Sequence, residues 1–255
     1  MRNKLQQAKR IVIKVGTSSL IYPNGNINLK AIDQLAFTLS DLSNQGKEII
    51  LVSSGAIGVG LNKLNLSVRP TTIPEQQAVA AVGQAELMNI YNQRFSTYSQ
   101  QMAQVLLTRD VIEYPESRNN VTNTFEQLFE NDTVAIEELD HLTKFGDNDQ
   151  LSAIVCQIVQ ADLLVMLSDI DGFFSDNPTV NKEATLFSEI NEINEDLFQL
   201  AGGKGSRFGT GGMSSKLKAA ERVLANQQAM ILANGKQPKI IFEILEGKDI
   251  GTLFI

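Results

Sequence analysis

Short apolar runs punctuate the chain at residues 10–15 (RIVIKV), 48–53 (EIILVS), 104–108 (QVLLT), 163–167 (LLVML), 229–233 (AMILA), 239–245 and 252–255. Most are continuous rather than alternating, which is the pattern of strands covered on both faces, as in a parallel sheet between helices. Between them lie longer stretches with helical patterning, at 29–44, 74–99, 117–128, 148–160, 193–201 and 214–226. This alternation predicts an α/β fold, a three-layer αβα sandwich around a mostly parallel central sheet. No repeat, low-complexity tract or proline-rich linker interrupts the pattern, so a single domain over residues 1–255 is expected. Ligands of open α/β sheets bind at the carboxyl ends of strands. The polar and glycine-rich segments of this chain follow those ends.

An apolar fraction of 43% over 255 residues suffices for a full core. The net charge of −7 argues against a broad nucleic-acid footprint, which needs a basic face. It leaves room for a local basic pocket that takes a small anion. Cys156 is the only cysteine, so no intrachain disulfide forms and a reducing compartment is expected. The start, MRNKLQQAKR, has no apolar signal core, and no apolar run is long enough to cross a bilayer. These features predict a cytoplasmic protein with neither membrane nor nucleic acid as partner.

The segment at 201–216, AGGKGSRFGTGGMSSK, concentrates the candidate chemistry. Six of the 18 glycines fall between Gly202 and Gly212, and a helical run follows at once. Glycine lets backbone N–H groups turn toward a ligand, and a helix N-terminus adds partial positive charge. With Lys216 in the first turn the parts make a phosphate cradle, although no glycine directly precedes that lysine as a P-loop requires. A flexible surface loop is the plainer alternative. Four further segments could carry chemistry. Lys14 ends RIVIKV beside Gly16, Thr17 and Ser18, where it can reach a phosphate or simply be solvated. Ser53, Ser54 and Gly55 form a small-residue turn after EIILVS; the glycine spacing that follows is not the dinucleotide fingerprint. Asp147, Asn148 and Asp149 precede a helical run, and one of them is expected to cap it. Ser168 and Asp169 follow LLVML. His141 stands alone, without the second histidine or cysteine of a zinc site or the Gly-x-Ser-x-Gly elbow of a hydrolase, so it is expected to be a surface or loop residue.

Taken in order, IVIKVGTSSL, LVSSGAIGVG, FGDNDQLSA, SDIDGFFSDNP and GTGGMSSKLKAA resemble the amino acid kinase family. The resemblance spans nearly the whole chain and is closest to members that phosphorylate L-glutamate. It implies ATP-dependent transfer of a phosphoryl group to the side-chain carboxylate of L-glutamate, the first step of proline biosynthesis, with Mg²⁺ accompanying ATP. Many members carry a C-terminal PUA domain, and none is expected here. By resemblance, Lys14 and Lys216 contact the phosphates and Asp149 holds both lysines, which makes these three the catalytic set. Ser168, Asp169 and the run Thr210, Gly211, Gly212, Met213, Ser214, Ser215 and Lys216 line the ATP site. Ser54, Asp132 and Asn148 bind glutamate, with Asp147 beside them. No residue is assigned to holding a metal. A homo-oligomer and feedback inhibition by proline are also implied. The chemistry suits these residue types. A glutamate carboxyl, with a pKa of about 4.3, is already ionised near neutral pH and needs no general base. The work left is charge neutralisation and alignment. The open alternatives are a relative acting on aspartate, acetylglutamate or carbamate, and a catalytically impaired ATP or amino-acid binding module.

One departure from the family pattern bears on the fold. In the family, a loop and a buried strand separate the helix matching NTFEQL from an Asn-Glu-Asn-Asp segment. Here NTFEQL runs directly into FENDTVAIEEL, with Phe129 at the first position of that segment. About nine residues are missing, which at ~3.3 Å per residue is one strand. Either VAIEEL shifts register and fills the gap, or neighbouring backbone groups are left unpaired.

Overall fold

The computed structural model describes residues 2–107, 111, 114–139, 148–202 and 212–255. Its strands are β1 (Arg10–Val15), β2 (Glu48–Ser53), β3 (Met102–Leu107), β4 (Val134–Leu139), β5 (Leu163–Ser168), β6 (Glu189–Ile190), β7 (Ala229–Asn234) and β8 (Thr252–Phe254). They form one sheet in the order β3-β4-β2-β1-β5-β7-β8-β6. Every pairing is parallel except β7 with β8. The runs that read as continuous apolar segments occupy the middle of this sheet. β5 is buried at all six positions, and β1 and β2 at every position after the first.

Helices cover both faces. They are α1 (Thr17–Leu20), α2 (Leu29–Asn44), α3 (Ala56–Lys63), α4 (Ile73–Thr97), α5 (Pro115–Glu130), α6 (Asn148–Ile158), α7 (Glu195–Ala201), α8 (Met213–Ala225) and α9 (Ile240–Leu245). Because side chains alternate along a strand, Ile11, Ile13 and Leu51 face a core layer completed by Leu35 and Leu39 of α2, Tyr91 and Phe95 of α4, and Ile244 of α9. Val12, Ile50 and Val52 face the opposite layer, with Phe125 of α5, Val155 of α6 and Leu217 of α8. The predicted three-layer sandwich is the architecture observed. α3 and α4 pack with almost no spacing: a Cβ on Gly83 would sit 1.7 Å from the Ala56 carbonyl oxygen, and one on Gly60 2.0 Å from that of Val79. Only hydrogen fits there, so two glycines of the sequence are explained by helix contact rather than by a turn.

Two elements differ from the sequence expectation. Residues 239–245 were expected as a strand, but 240–245 form α9. The run has two readings by apolarity alone. The fold chooses the helix because Ile241, Ile244 and Leu245, at i, i+3 and i+4, bury together, and Gly247 at φ 82° turns the chain after them. The second difference concerns VAIEEL. It becomes β4 and lies between β3 and β2, pairing with β3 from Met102↔Val134 to Leu107↔Leu139 and with β2 from Ile50↔Ala135 to Ser53↔Glu138. The shortened chain therefore keeps a continuous sheet by drafting this segment into the strand position. Glu137 comes with it and has no solvent exposure. Thr108, expected at the end of β3, lies outside the described residues.

Candidate active site

The chain leaves β1 for β2 on one side of it and later returns to β5 on the other, so the strand order reverses between β1 and β5. That crevice, at the carboxyl ends, is where an open α/β sheet places ligands. Lys14 is the fifth residue of β1, paired with Val52 and Met166. Asp149 is in the first turn of α6, and Lys216 in the first turn of α8. The fold brings all three into contact. Lys14 Nζ lies 2.6 Å from Asp149 Oδ1, and Lys216 Nζ lies 3.0 Å from Asp149 Oδ2. Asp149 is 1% exposed, and both lysines are also buried. One carboxylate thus bridges two ammonium groups. Burial pushes the Asp149 carboxyl up, but Lys14 and then Lys216 outweigh it and hold the group below the ordinary carboxylate value.

The neighbouring strand ends add polar groups. Asn148 Nδ2 donates to the Ser53 carbonyl at 3.0 Å and to Ser54 Oγ at 2.5 Å, which ties the start of α6 to the end of β2. Ser53 Oγ lies 2.9 Å from the buried Tyr91 hydroxyl. Ser168 ends β5, and its Oγ donates to Asp169 Oδ1 at 3.2 Å. Gly212 caps α8 with no side-chain hydrogen bond, so the N–H groups of Met213 and Ser214 meet no capping side chain. Gln150 Nε2 donates to the Ser215 carbonyl at 3.0 Å and links α6 to that helix start. A Cβ on Gly16 would meet Lys14 Nζ at 3.6 Å, an ordinary contact, so the glycine lies directly beside the lysine's end.

Lys14, Asp149 and Lys216 therefore form one cluster, Ser54 and Asn148 one pair, and Ser168, Asp169, Gly212, Met213, Ser214 and Ser215 frame the same end of the sheet. Asp147, Thr210 and Gly211 lie outside the described residues, as does His141. Asp132 is a correction. It sits in the turn before β4, at φ 48°, with its carbonyl accepting from Gln100 Nε2 at 2.5 Å. It lines a cavity of about 140 Å³ with Lys9, Lys47 and Glu48, at the amino ends of the strands. Because VAIEEL was drafted into the sheet, the residue that resemblance assigned to glutamate is drawn to the far side, one strand length from Ser54. Gln150 was missed by the sequence reading, since a glutamine one turn into a helix carries no signal by itself.

The match to the amino acid kinase family spans residues 9–234. The chain belongs to the amino acid kinase family. Among curated relatives, it is 96% identical to the glutamate 5-kinase of Enterococcus faecalis over 264 residues, covering 100% of this chain and 97% of the relative. It is 62% identical to the Listeria monocytogenes glutamate 5-kinase, covering 100% and 95%, and 60% identical to that of Lactiplantibacillus plantarum, covering 97% of each. The first alignment is 264 positions long against 255 residues here, so nine positions (264 less 255) have no residue in this chain. Solved structures of other kinases are similar in shape. UMP kinase from Bacillus anthracis matches with a TM-score of 0.68 at 16% identity, covering 97% of this chain and 96% of that one. Isopentenyl phosphate kinase from T. acidophilum matches with a TM-score of 0.66 at 15% identity, covering 96% and 100%.

A carboxyl whose folded pKa is lowered adds stability that is fully present above its unfolded pKa and is lost as pH falls through the folded value. Asp149→Asn removes the carboxylate that two buried ammonium groups share and should cost about 3–5 kcal/mol near neutral pH. The deficit should narrow on acidification, as the parent loses the same ion pairs. Urea melts of parent and variant at neutral and acid pH check this; equal midpoints at neutral pH would contradict it.

Proposed function

We infer that this chain is an ATP-dependent kinase that phosphorylates the side-chain carboxylate of L-glutamate to give L-glutamyl 5-phosphate, the first step of proline biosynthesis. The observation that carries this reading is the Lys14–Asp149–Lys216 cluster at the reversal of strand order, in a chain 96% identical to a glutamate 5-kinase. Donor and acceptor are both anions, so the barrier is set by bringing them together and by charge spread over the transferring group. Lys14 and Lys216 supply positive charge on rigid elements, a strand and the first turn of a helix. Asp149 orients them and takes no proton itself. The uncapped start of α8 offers N–H donors to phosphate oxygens. Ser54 and Asn148, linked to each other, offer a hydroxyl and an amide to the amino acid on the β2 side.

Among the described residues, no group of three or more His, Cys, Asp or Glu could hold a metal ion. Mg²⁺ bound through nucleotide phosphates needs only one or two protein carboxylates, and the exposed Asp169 is of that kind. Such an ion offsets phosphate charge. No helix among the described residues is long and apolar enough to cross a membrane, and a cytoplasmic location belongs to this reading. So do proline as a feedback inhibitor and assembly of like chains, for which α4 exposes Ala78, Ala81, Val82 and Ala85 along one side. The displacement of Asp132 favours a second reading, a chain that binds ATP but handles glutamate poorly.

ADP release with MgATP, measured with and without L-glutamate, separates the two. Glutamate-dependent release that falls by orders of magnitude in Lys216→Ala supports the kinase; ATP binding with no such release supports the impaired chain; near-parent turnover in Lys216→Ala would remove that lysine from the chemistry. Light scattering should give a mass above one 28.0 kDa chain, and a monomer at all working concentrations would contradict assembly.

A further inference from the structure

β7 ends beside β5, with Ser168 opposite Asn234. Past that pair the two chains stay joined: Gly235 N donates to the Ser168 carbonyl at 2.7 Å. Gly235 is packed so tightly that a Cβ there would lie 2.8 Å from Leu167 Cβ and 3.1 Å from Ser19 Oγ. The chain segments leaving β1, β5 and β7 therefore meet at this glycine. Asn234 then reaches across. Its Nδ2 donates to Asp171 Oδ1 at 2.7 Å, while its Oδ1 accepts from Lys236 N at 3.0 Å. An amide can donate to a carboxylate and accept from a backbone N–H at once. Three residues upstream of Asp171 is Ser168, and Asp169 lies between them. On its other flank the turn is held by Thr252, whose hydroxyl accepts from Phe173 N at 2.8 Å and donates to the Phe187 carbonyl at 2.6 Å.

We propose that Asn234 is a positioning residue for the nucleotide: it fixes the turn at 168–171 against the end of β7 so that Ser168 and Asp169 meet ATP in one arrangement. The proposal rests on the kinase reading above and deepens its ATP side. Asn234 itself touches the turn, not the substrate. Its loss should therefore act on ATP and spare glutamate, which the opposite side of Lys14 receives at Ser54 and Asn148.

The test uses the full chain and MgATP. Asn234→Asp puts a carboxylate against Asp171 and should weaken ATP binding, read by calorimetry, about five- to twentyfold. KM for L-glutamate should change less than about twofold on the same scale. Exchanging the partners, Asn234→Asp with Asp171→Asn, restores an amide–carboxylate pair in the reverse sense and should recover most of the affinity. Asp171→Ala alone removes the acceptor of an exposed side chain and should also weaken ATP binding. Parent-like ATP affinity in folded Asn234→Asp or Asp171→Ala, no recovery in the exchange, or an equal rise in the glutamate KM would each overturn the proposal. A parent chain that binds no ATP would remove the kinase reading itself, and this inference with it.

Discussion

A buried carboxylate shared by two buried ammonium groups is the constraint on which the rest of this molecule depends. Isolated charges cost far too much to bury, so Asp149, Lys14 and Lys216 must arrive together or not at all. Each comes from a different element: β1, the start of α6 and the start of α8. Their contact thus fixes how two helices sit over one face of the sheet. The second core layer, with Val155 and Leu217, supplies the apolar burial that makes this arrangement affordable. Two ammonium groups meet one carboxylate there, in a chain whose overall charge is −7. Positive groups at such a point favour the approach of anions.

The sheet shows how far such a scaffold tolerates loss. Relative to its Enterococcus faecalis relative the chain lacks nine aligned positions, yet the sheet is continuous, because β4 pairs on both sides. Backbone hydrogen bonding explains the outcome: every unpaired N–H and C=O in a sheet interior is costly, more so than accepting a poor strand sequence. The substitute brings Glu137 into the interior and pulls Asp132 to the amino ends. The part of the crevice built from β1, β5, α6 and α8 is untouched by this exchange. The change falls on the side of β2 and β4.

Much of this was legible in the residues. RIVIKV, EIILVS and LLVML announce buried parallel strands because no polar residue interrupts their centres, and the glycines after them announce crowded strand ends. The segment 239–245 was not legible, since a short apolar run has no period to read. β4 was legible only as one of two alternatives, because VAIEEL carries two glutamates and its strand character comes from vacant pairing partners rather than from its own propensity. Asp132 was misplaced for a related reason: a motif carries a residue's place in the chain, while its place in the sheet depends on how many residues precede it. Asn234 was invisible because its role lies in contacts with Asp171 and Lys236 that only the folded chain creates.

The central claim is that Lys14 and Lys216, held by Asp149, are the groups that meet the nucleotide's phosphates. A crystal structure of the chain with Mg²⁺ and a non-hydrolysable ATP analogue tests it most directly. The account predicts phosphate oxygens within hydrogen-bond distance of both Nζ atoms, with Asp149 still between the two lysines. A polyphosphate bound elsewhere, or touching neither lysine, would contradict it.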